Sequence, residues 1–216
     1  AIDTLPRLDA ICGKIESISQ LVVVPVFDAS PSIDKMDRAV NWAEFLSTER
    51  GAALVFEPLP FNHPLYIMYS SGTTGAPKCI VHSAGGTLIQ HLKEHQLHVD
   101  LKPSDRLFYF TTCGWMMWNW LVSGLASGAT LVLYDGSPFY PDAKALIDLV
   151  EAEQVSIFGT SAKYLSALEK AGVKPEKTHD LRPLRTILST GSPLSQESFR
   201  YVYRDIKADL CLASIS

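Results

Sequence analysis

Apolar positions along the chain gather in short unbroken runs, and most segments between those runs show the spacing of a single helix face. "QLVVVPVF" (20–27) predicts a strand, with Pro25 marking an edge or terminal position. "DKMDRAVNWAEFLS" (34–47) sets Met36, Ala39, Val40, Ala43 and Leu46 on one face and predicts a helix. "AALVFE" (52–57) and "PLYIMYS" (64–70) are bounded by turn residues and predict buried strands. The proline-rich "PLPFNHP" between them is the candidate boundary between subdomains. On that reading 1–60 closes an upstream α/β subdomain and 61–216 forms a second one.

The alternation continues to the last residue. "CIVHS" (79–83) predicts a strand, 85–100 a helix, 105–112 a strand, 115–128 an apolar helix closed by Gly128, and 129–135 a strand. Helices over 142–153, 161–171 and 195–206 then alternate with strands over 155–159, 184–190 and 209–214. Continuously apolar strands separated by amphipathic helices predict an α/β fold with a mostly parallel sheet covered by helices on both faces. The last strand stops almost at Ser216, where ligand-binding loops normally follow, so the reading expects truncation there. The absence of an initiator Met is compatible with processing or with an internal fragment.

Composition narrows the function classes. With 47% hydrophobic and 19% charged residues and a net charge of −4, the chain is an ordinary globular one. No stripe of Lys or Arg offers a nucleic-acid footprint, and no apolar run reaches the roughly 20 residues of a membrane span. Cys12, Cys79, Cys113 and Cys211 contain no CxxC pair and read as buried, reduced thiols of a cytoplasmic protein.

The candidate chemistry centres on "SSGTTGAPK" (70–78). Gly72 and Gly75 let the backbone turn sharply and approach a ligand. Ser70, Ser71, Thr73 and Thr74 add hydroxyls, and Lys78 adds a positive charge. Successive backbone N–H groups in such a turn form an anion-binding concavity. Pro77 before the lysine and Cys79 after it exclude the Walker A pattern. From composition alone, a polar hairpin turn between strands 65–70 and 79–82 remains the alternative.

The ordered string "YSSGTTGAPK" resembles the phosphate loop of the adenylate-forming superfamily, which includes acyl-CoA synthetases, luciferases and peptide-synthetase adenylation domains. Every defined position of [ST]-S-G-[ST]-T-G-x-P-K matches, and Ala76 departs from the lysine often found there. "TTCGWMMWNWLVSGLASGATLVLYDGSPFYPD" and "IVHSAGGTLIQHLKEHQLHVDLKPSDR" are similar to the short-chain branch that activates acetate and acetoacetate, most of all the acetoacetate-activating enzymes. The resemblance covers the whole chain but only the middle of such an enzyme. It implies an acidic motif, a hinge and a C-terminal domain with a catalytic lysine outside these residues, and an isolated segment without activity.

What the resemblance implies is an acid–thiol ligase. ATP with Mg²⁺ and a small carboxylate would give an acyl-adenylate, which coenzyme A would then accept. Lys78, Thr73 and Thr74 would act on the phosphates, together with Ser70, Ser71, Gly72 and Gly75. Gly191, Ser192 and Pro193 in "LSTGSPLS" would contact adenine. Trp115, Met116 and Met117 would line the acyl pocket, a plain core role being the alternative, and Trp118 and Trp120 are read as core. No carboxylate in the chain is an evident metal ligand.

Other features carry bland and sharp readings side by side. "HLKEH" (91–95) matches the H-x-x-E-H pattern of a zinc hydrolase, against a solvated helix face. A nucleotide-binding module without chemistry is the other alternative. His82 either meets nucleotide or ends a strand. Lys163, Arg182 and Arg185 read as solvated or surface ion-pair residues.

Overall fold

The computed structural model describes residues 3–26, 28–46, 51, 53–70 and 75–215. They fall into two compact units, Ala1–Glu57 and Pro58–Ser216. In the first, helix α1 (Leu5–Cys12) starts with Pro6 in its opening turn, where a missing N–H costs nothing. The sequence reading had no element there. Strand β1 (Leu21–Val23) pairs in parallel with β2 (Ala39–Asn41), and the single turn α2 (Trp42–Phe45) follows.

Two expectations fail in this unit. The helix over 34–47 is replaced by a turn, β2 and α2, because Arg38 takes a left-handed conformation with φ 66° and Val40 pairs with Val22. The strand over 52–57 does not form in described residues 53–57. Leu54, Val55 and Phe56 are 80%, 82% and 79% exposed, and an apolar run without a ladder partner cannot hold as a strand. The predicted strand over 20–27 shortens to β1, and Phe27 and Ala52 lie outside the described residues.

The second unit opens with an antiparallel hairpin, β3 (Pro64–Tyr69) and β4 (Cys79–Ser83). Helix α3 (Ala84–Lys93) packs on both strands, and Ser83 caps it by accepting the Gly86 N–H at 3.3 Å. These strands are not buried as expected. A two-stranded ribbon is covered on one face only, so Leu65, Ile67, Tyr69 and Val81 stay exposed. The helix predicted over 85–100 changes to a π-turn over Glu94–His98.

A five-stranded, wholly parallel sheet follows: β5 (Arg106–Tyr109), β6 (Thr130–Val132), β7 (Ile157–Ser161), β8 (Thr186–Thr190) and β9 (Cys211–Ser214). Its order is β6-β5-β7-β8-β9. The connections carry α4 (Met117–Ser123), α5 (Ala145–Ala152), α6 (Ala162–Lys170) and α7 (Gln196–Tyr201). A short 3-10 turn extends α4 to Ser127, and Gly128 ends it at φ 76°. Phe108, Phe158 and Ile187 point to one core with α5, α6 and α7. Leu107, Tyr109, Ile157 and Leu188 point to the other with α4. The central strands β5, β7 and β8 are therefore buried on both faces, and the edge strands β6 and β9 only in part, which is why the central strands read as unbroken apolar runs rather than alternating ones. The expected α/β class, with helices on both faces, is the fold observed.

All four cysteines are free, and only Cys12 is buried; Cys79, Cys113 and Cys211 are exposed. No described helix is long and apolar enough to cross a membrane.

Candidate functional site

In a parallel sheet every strand ends on the same edge, and ligands collect where the strand order reverses. Here the chain leaves β5 for β6 on one side and returns to β7 on the other, so the reversal lies between β5 and β7. The segments 110–116 after β5 and 191–195 after β8 open on that edge. Both were singled out from sequence.

At the reversal, Tyr109 and Gly159 are register partners, and the Tyr109 ring occupies the space a side chain at 159 would need. The Tyr109 hydroxyl donates to the Thr160 carbonyl at 3.3 Å. Burial pushes this phenol well above its ordinary pKa, so it stays a neutral donor. Beside it a cavity of about 500 Å³ is walled by Tyr109, Phe110, Thr112, Cys113, Trp118 and Tyr134. Trp118, read from sequence as core, stands in this wall.

Trp115 is half-buried, turned back by its N–H on the Thr112 carbonyl at 3.1 Å, with its ring edge-on to Tyr109 at 6.1 Å. Met116 is exposed, whereas Met117 is buried among Leu121, Trp120 and Leu107. Asn119 on α4 donates to the Met68 sulfur at 3.4 Å, which ties α4 to the strand entering the glycine loop.

That loop has a closed neck. The Ser70 N–H donates to the Lys78 carbonyl at 2.9 Å, and the Lys78 N–H donates to the Ser70 hydroxyl at 3.1 Å. Gly75 and Lys78 are exposed, and Ser71, Gly72, Thr73 and Thr74 lie outside the described residues. His82, on the strand leaving the loop, is exposed. Gly191 adopts φ 88° directly after β8, and Ser192 and Pro193 lead exposed into Ser195, whose hydroxyl caps α7 by accepting the Ser198 N–H at 3.1 Å. Thr160 and Ser189, opposite each other on β7 and β8, are buried with hydroxyls that have no partner among the described residues. Sequence reasoning passed over them, as it did Tyr109 and Gly159, because only strand register brings them together.

The His91–His95 segment is neither a solvated face nor an open ligand set. His95 is fully buried, and its Nε2–H donates to the Trp120 carbonyl at 2.9 Å, with the Ser123 hydroxyl at 3.0 Å. Burial lowers its pKa to about 4, against the pull of the Trp120 carbonyl, so the ring is neutral. Among the described residues no three His, Cys, Asp or Glu side chains cluster as a metal site. Arg185 is an ion-pair residue with 36% of its side chain exposed, but it reaches further than its partner: it donates to Asp105 Oδ2 at 2.7 Å and to the carbonyls of Val99 at 3.1 Å and Asp100 at 2.7 Å. Arg182 does pair at the surface, with Asp180.

Comparison with known proteins adds a family and two kinds of relative. The model of the family described as AMP-binding enzyme matches residues 2–211. Acetoacetyl-coenzyme A synthetase of Rhizobium meliloti (strain 1021) is 60% identical over 196 residues, 90% of this chain and 30% of that protein. Acetoacetyl-CoA synthetase of Gallus gallus is 52% identical over 217 residues, 98% of this chain and 32% of that protein. A solved structure of acetoacetyl-CoA synthetase from Streptomyces lividans superposes with a TM-score of 0.89 at 41% identity, covering 99% of this chain and 33% of that one. The chain thus spans about a third of the length of the relatives it matches.

Proposed function

The chain belongs to the AMP-binding enzyme family, and on that premise we propose that it is the central part of an acid–thiol ligase that joins acetoacetate to coenzyme A at the expense of ATP. The observation that carries this reading is the loop neck. Ser70 and Lys78, at the two ends of the signature, hold each other by reciprocal hydrogen bonds that close the neck of the loop.

In the first step a carboxylate oxygen attacks the α-phosphorus of ATP. The new bond to phosphorus forms as the bond to pyrophosphate breaks. Such transfer needs positioning and charge neutralisation more than covalent help. Lys78 supplies the positive charge, and Ser71, Thr73, Thr74 and the loop amides supply donors. Gly191, Ser192 and Pro193 take the adenine. Mg²⁺ would supply further charge on the phosphates. It is usually held by the phosphates and one or two carboxylates.

The acyl chain lies at the end of β5, against Trp115, Met116 and the cavity walled by Tyr109 and Trp118, with Met117 backing that wall from the core. In the second step the coenzyme A thiolate attacks the acyl carbonyl, and AMP leaves with its bonding electron pair. Residues 1–60 and 61–216 then belong to two successive subdomains, and a cytoplasmic setting goes with the same reading.

A panel of short carboxylates on the complete protein carrying this chain tests it, read as pyrophosphate release. Acetoacetate is expected to be fastest. Lys78→Ala is expected to lower kcat/KM for ATP about 100-fold while leaving the unfolding midpoint unchanged. Nucleotide binding without carboxylate-dependent release would reduce the site to a binding module.

A further inference from the structure

Among the polar clusters that the proposed reaction leaves unused is the segment that imitates a zinc motif, built around the buried His95 and Trp120. Glu94 and His95 open the π-turn after α3, and both grip a single residue of α4. The Trp120 indole N–H donates to Glu94 Oε2 at 2.8 Å, and Gln90 donates to the other oxygen of that carboxylate. The Trp120 carbonyl accepts from His95 Nε2–H at 2.9 Å and from the Ser123 hydroxyl at 2.7 Å. The imidazole also lies against the indole, centroids 4.1 Å apart. Trp120 is thus held by its backbone, its ring nitrogen and its ring face.

From Trp120 the packing continues toward the cavity without a break. Its ring meets Tyr109 at 5.8 Å and 71°, and Tyr109 meets Trp115 at 6.1 Å and 72°. Tyr109 cannot retreat, because it rests on Gly159 and is bonded to the Thr160 carbonyl. Trp118 and Leu121, on either side of Trp120 in α4, line the cavity together with Tyr109. Apolar packing alone would let α4 slide or rotate by a fraction of a turn. Directed hydrogen bonds to one indole and one carbonyl remove that freedom.

We propose that Glu94 and His95 are positioning residues that fix, through Trp120, the α4 and Tyr109 walls of the acyl cavity and so set which acyl length is accepted. The inference rests on the acyl assignment made above. It separates from a merely structural role in its consequence: loss of the grip changes discrimination between acids, not the use of ATP.

The test uses the complete protein and a series of carboxylates lengthened one methylene at a time, with kcat/KM measured for each and KM for ATP alongside. His95→Leu is expected to change the ratio between the preferred acid and the next longer one by about tenfold, the order of discrimination a methylene commands, with KM for ATP within about twofold. His95→Gln, which keeps an N–H donor at a similar reach, is expected to restore most of the ratio. Leu168→Ala, in the core of the opposite sheet face, serves as a destabilised control and is expected to leave the ratio alone. Should His95→Leu not fold, Ser123→Ala removes one partner of the imidazole and is expected to move the ratio in the same direction, about threefold. A ratio unchanged in the folded variants, or moved as much by Leu168→Ala, overturns the inference while leaving the ligase reading intact. Failure of the unaltered protein to activate any carboxylate overturns both.

Discussion

The ring of Tyr109 lies directly over the bare Cα of Gly159, its partner on the neighbouring strand: a Cβ at 159 would stand 1.9 Å from the Tyr109 ring. The two residues sit where the strand order reverses, so the ring also borders the cavity. Gly159→Ala is expected to destabilise the protein by about 1–3 kcal/mol, the usual range for overpacking a core. Adding Tyr109→Ala to it should recover part of that loss, because the clash then has no second partner. Urea midpoints of the two single variants and the double variant measure the coupling, and strictly additive losses would refute the contact.

The neutral, buried His95 makes stability depend on pH in a defined direction. Its folded pKa of about 4 lies below the ordinary 6.5, because burial disfavours the charged ring. The unfolded chain therefore binds a proton across that interval and the folded one does not. Stability should be full above pH 6.5 and fall as the pH drops toward 4, by an amount on the order of 3 kcal/mol. His91, lowered in the same direction chiefly by burial, adds to the slope. His95→Gln should flatten most of the fall, and denaturant midpoints taken between pH 4 and 7 would reveal an unchanged slope if the assignment is wrong.

Arg185 and Arg182 looked alike in the sequence and differ in three dimensions. Arg185 joins Asp105 to the carbonyls of Val99 and Asp100, three acceptors that no other described arginine reaches. Burial alone would raise the Asp105 carboxyl, but hydrogen bonds from Arg185, Ser156 and the Lys102 N–H together hold it below the ordinary carboxylate range. That stabilisation is present above the unfolded pKa near 4 and is lost as the pH falls through the lowered folded value. At neutral pH, Arg185→Met is expected to cost about 2–3 kcal/mol, since it strands a carboxylate with 9% of its side chain exposed. Arg182→Ala, whose own side chain is 88% exposed, should change stability by less than about 0.5 kcal/mol. Equal costs for the two would contradict this account.

These contrasts show what the sequence could and could not convey. The parallel α/β fold was legible because the central strands of the sheet are buried on both faces, which leaves a continuous apolar run such as Phe108 with its neighbours Leu107 and Tyr109. The glycine loop was legible because its order of glycines and hydroxyls is local. Two local patterns misled, each for its own reason. Leu54, Val55 and Phe56 have strand residues but no partner among the described residues, and 34–47 has helical spacing interrupted by Arg38 at φ 66°. The Tyr109–Gly159 and Thr160–Ser189 pairs, and the burial of His95 on Trp120, depend on contacts between residues far apart in the chain, or on register, which periodicity does not encode.

Ser189 offers a case where removing a polar group should help. Its hydroxyl is buried without a partner among the described residues, and so is that of Thr160 opposite. A desolvated, unpaired hydroxyl is a cost with no return in the ligand-free protein. Ser189→Ala is therefore expected to raise stability, by about 1 kcal/mol at most. A clear loss would mean that a buried water pairs the two hydroxyls, and a thermal melt distinguishes the outcomes.

Gly191 tests the nucleotide edge by separating conformation from contact. Its φ of 88° belongs to the left-handed region, yet a Cβ there meets nothing within 4 Å. Crowding is therefore no obstacle in the ligand-free protein, and the cost of substitution is backbone strain alone. Asn, which visits this region readily, should be tolerated, whereas the β-branched Val should cost about 1–2 kcal/mol. If the turn lies against adenine, however, both side chains stand in the way of the ligand. Gly191→Asn should then keep its melting midpoint while KM for ATP rises several-fold in the complete protein. An Asn variant with unchanged midpoint and unchanged KM for ATP would take the turn out of the nucleotide site and leave Gly191 with a purely conformational role.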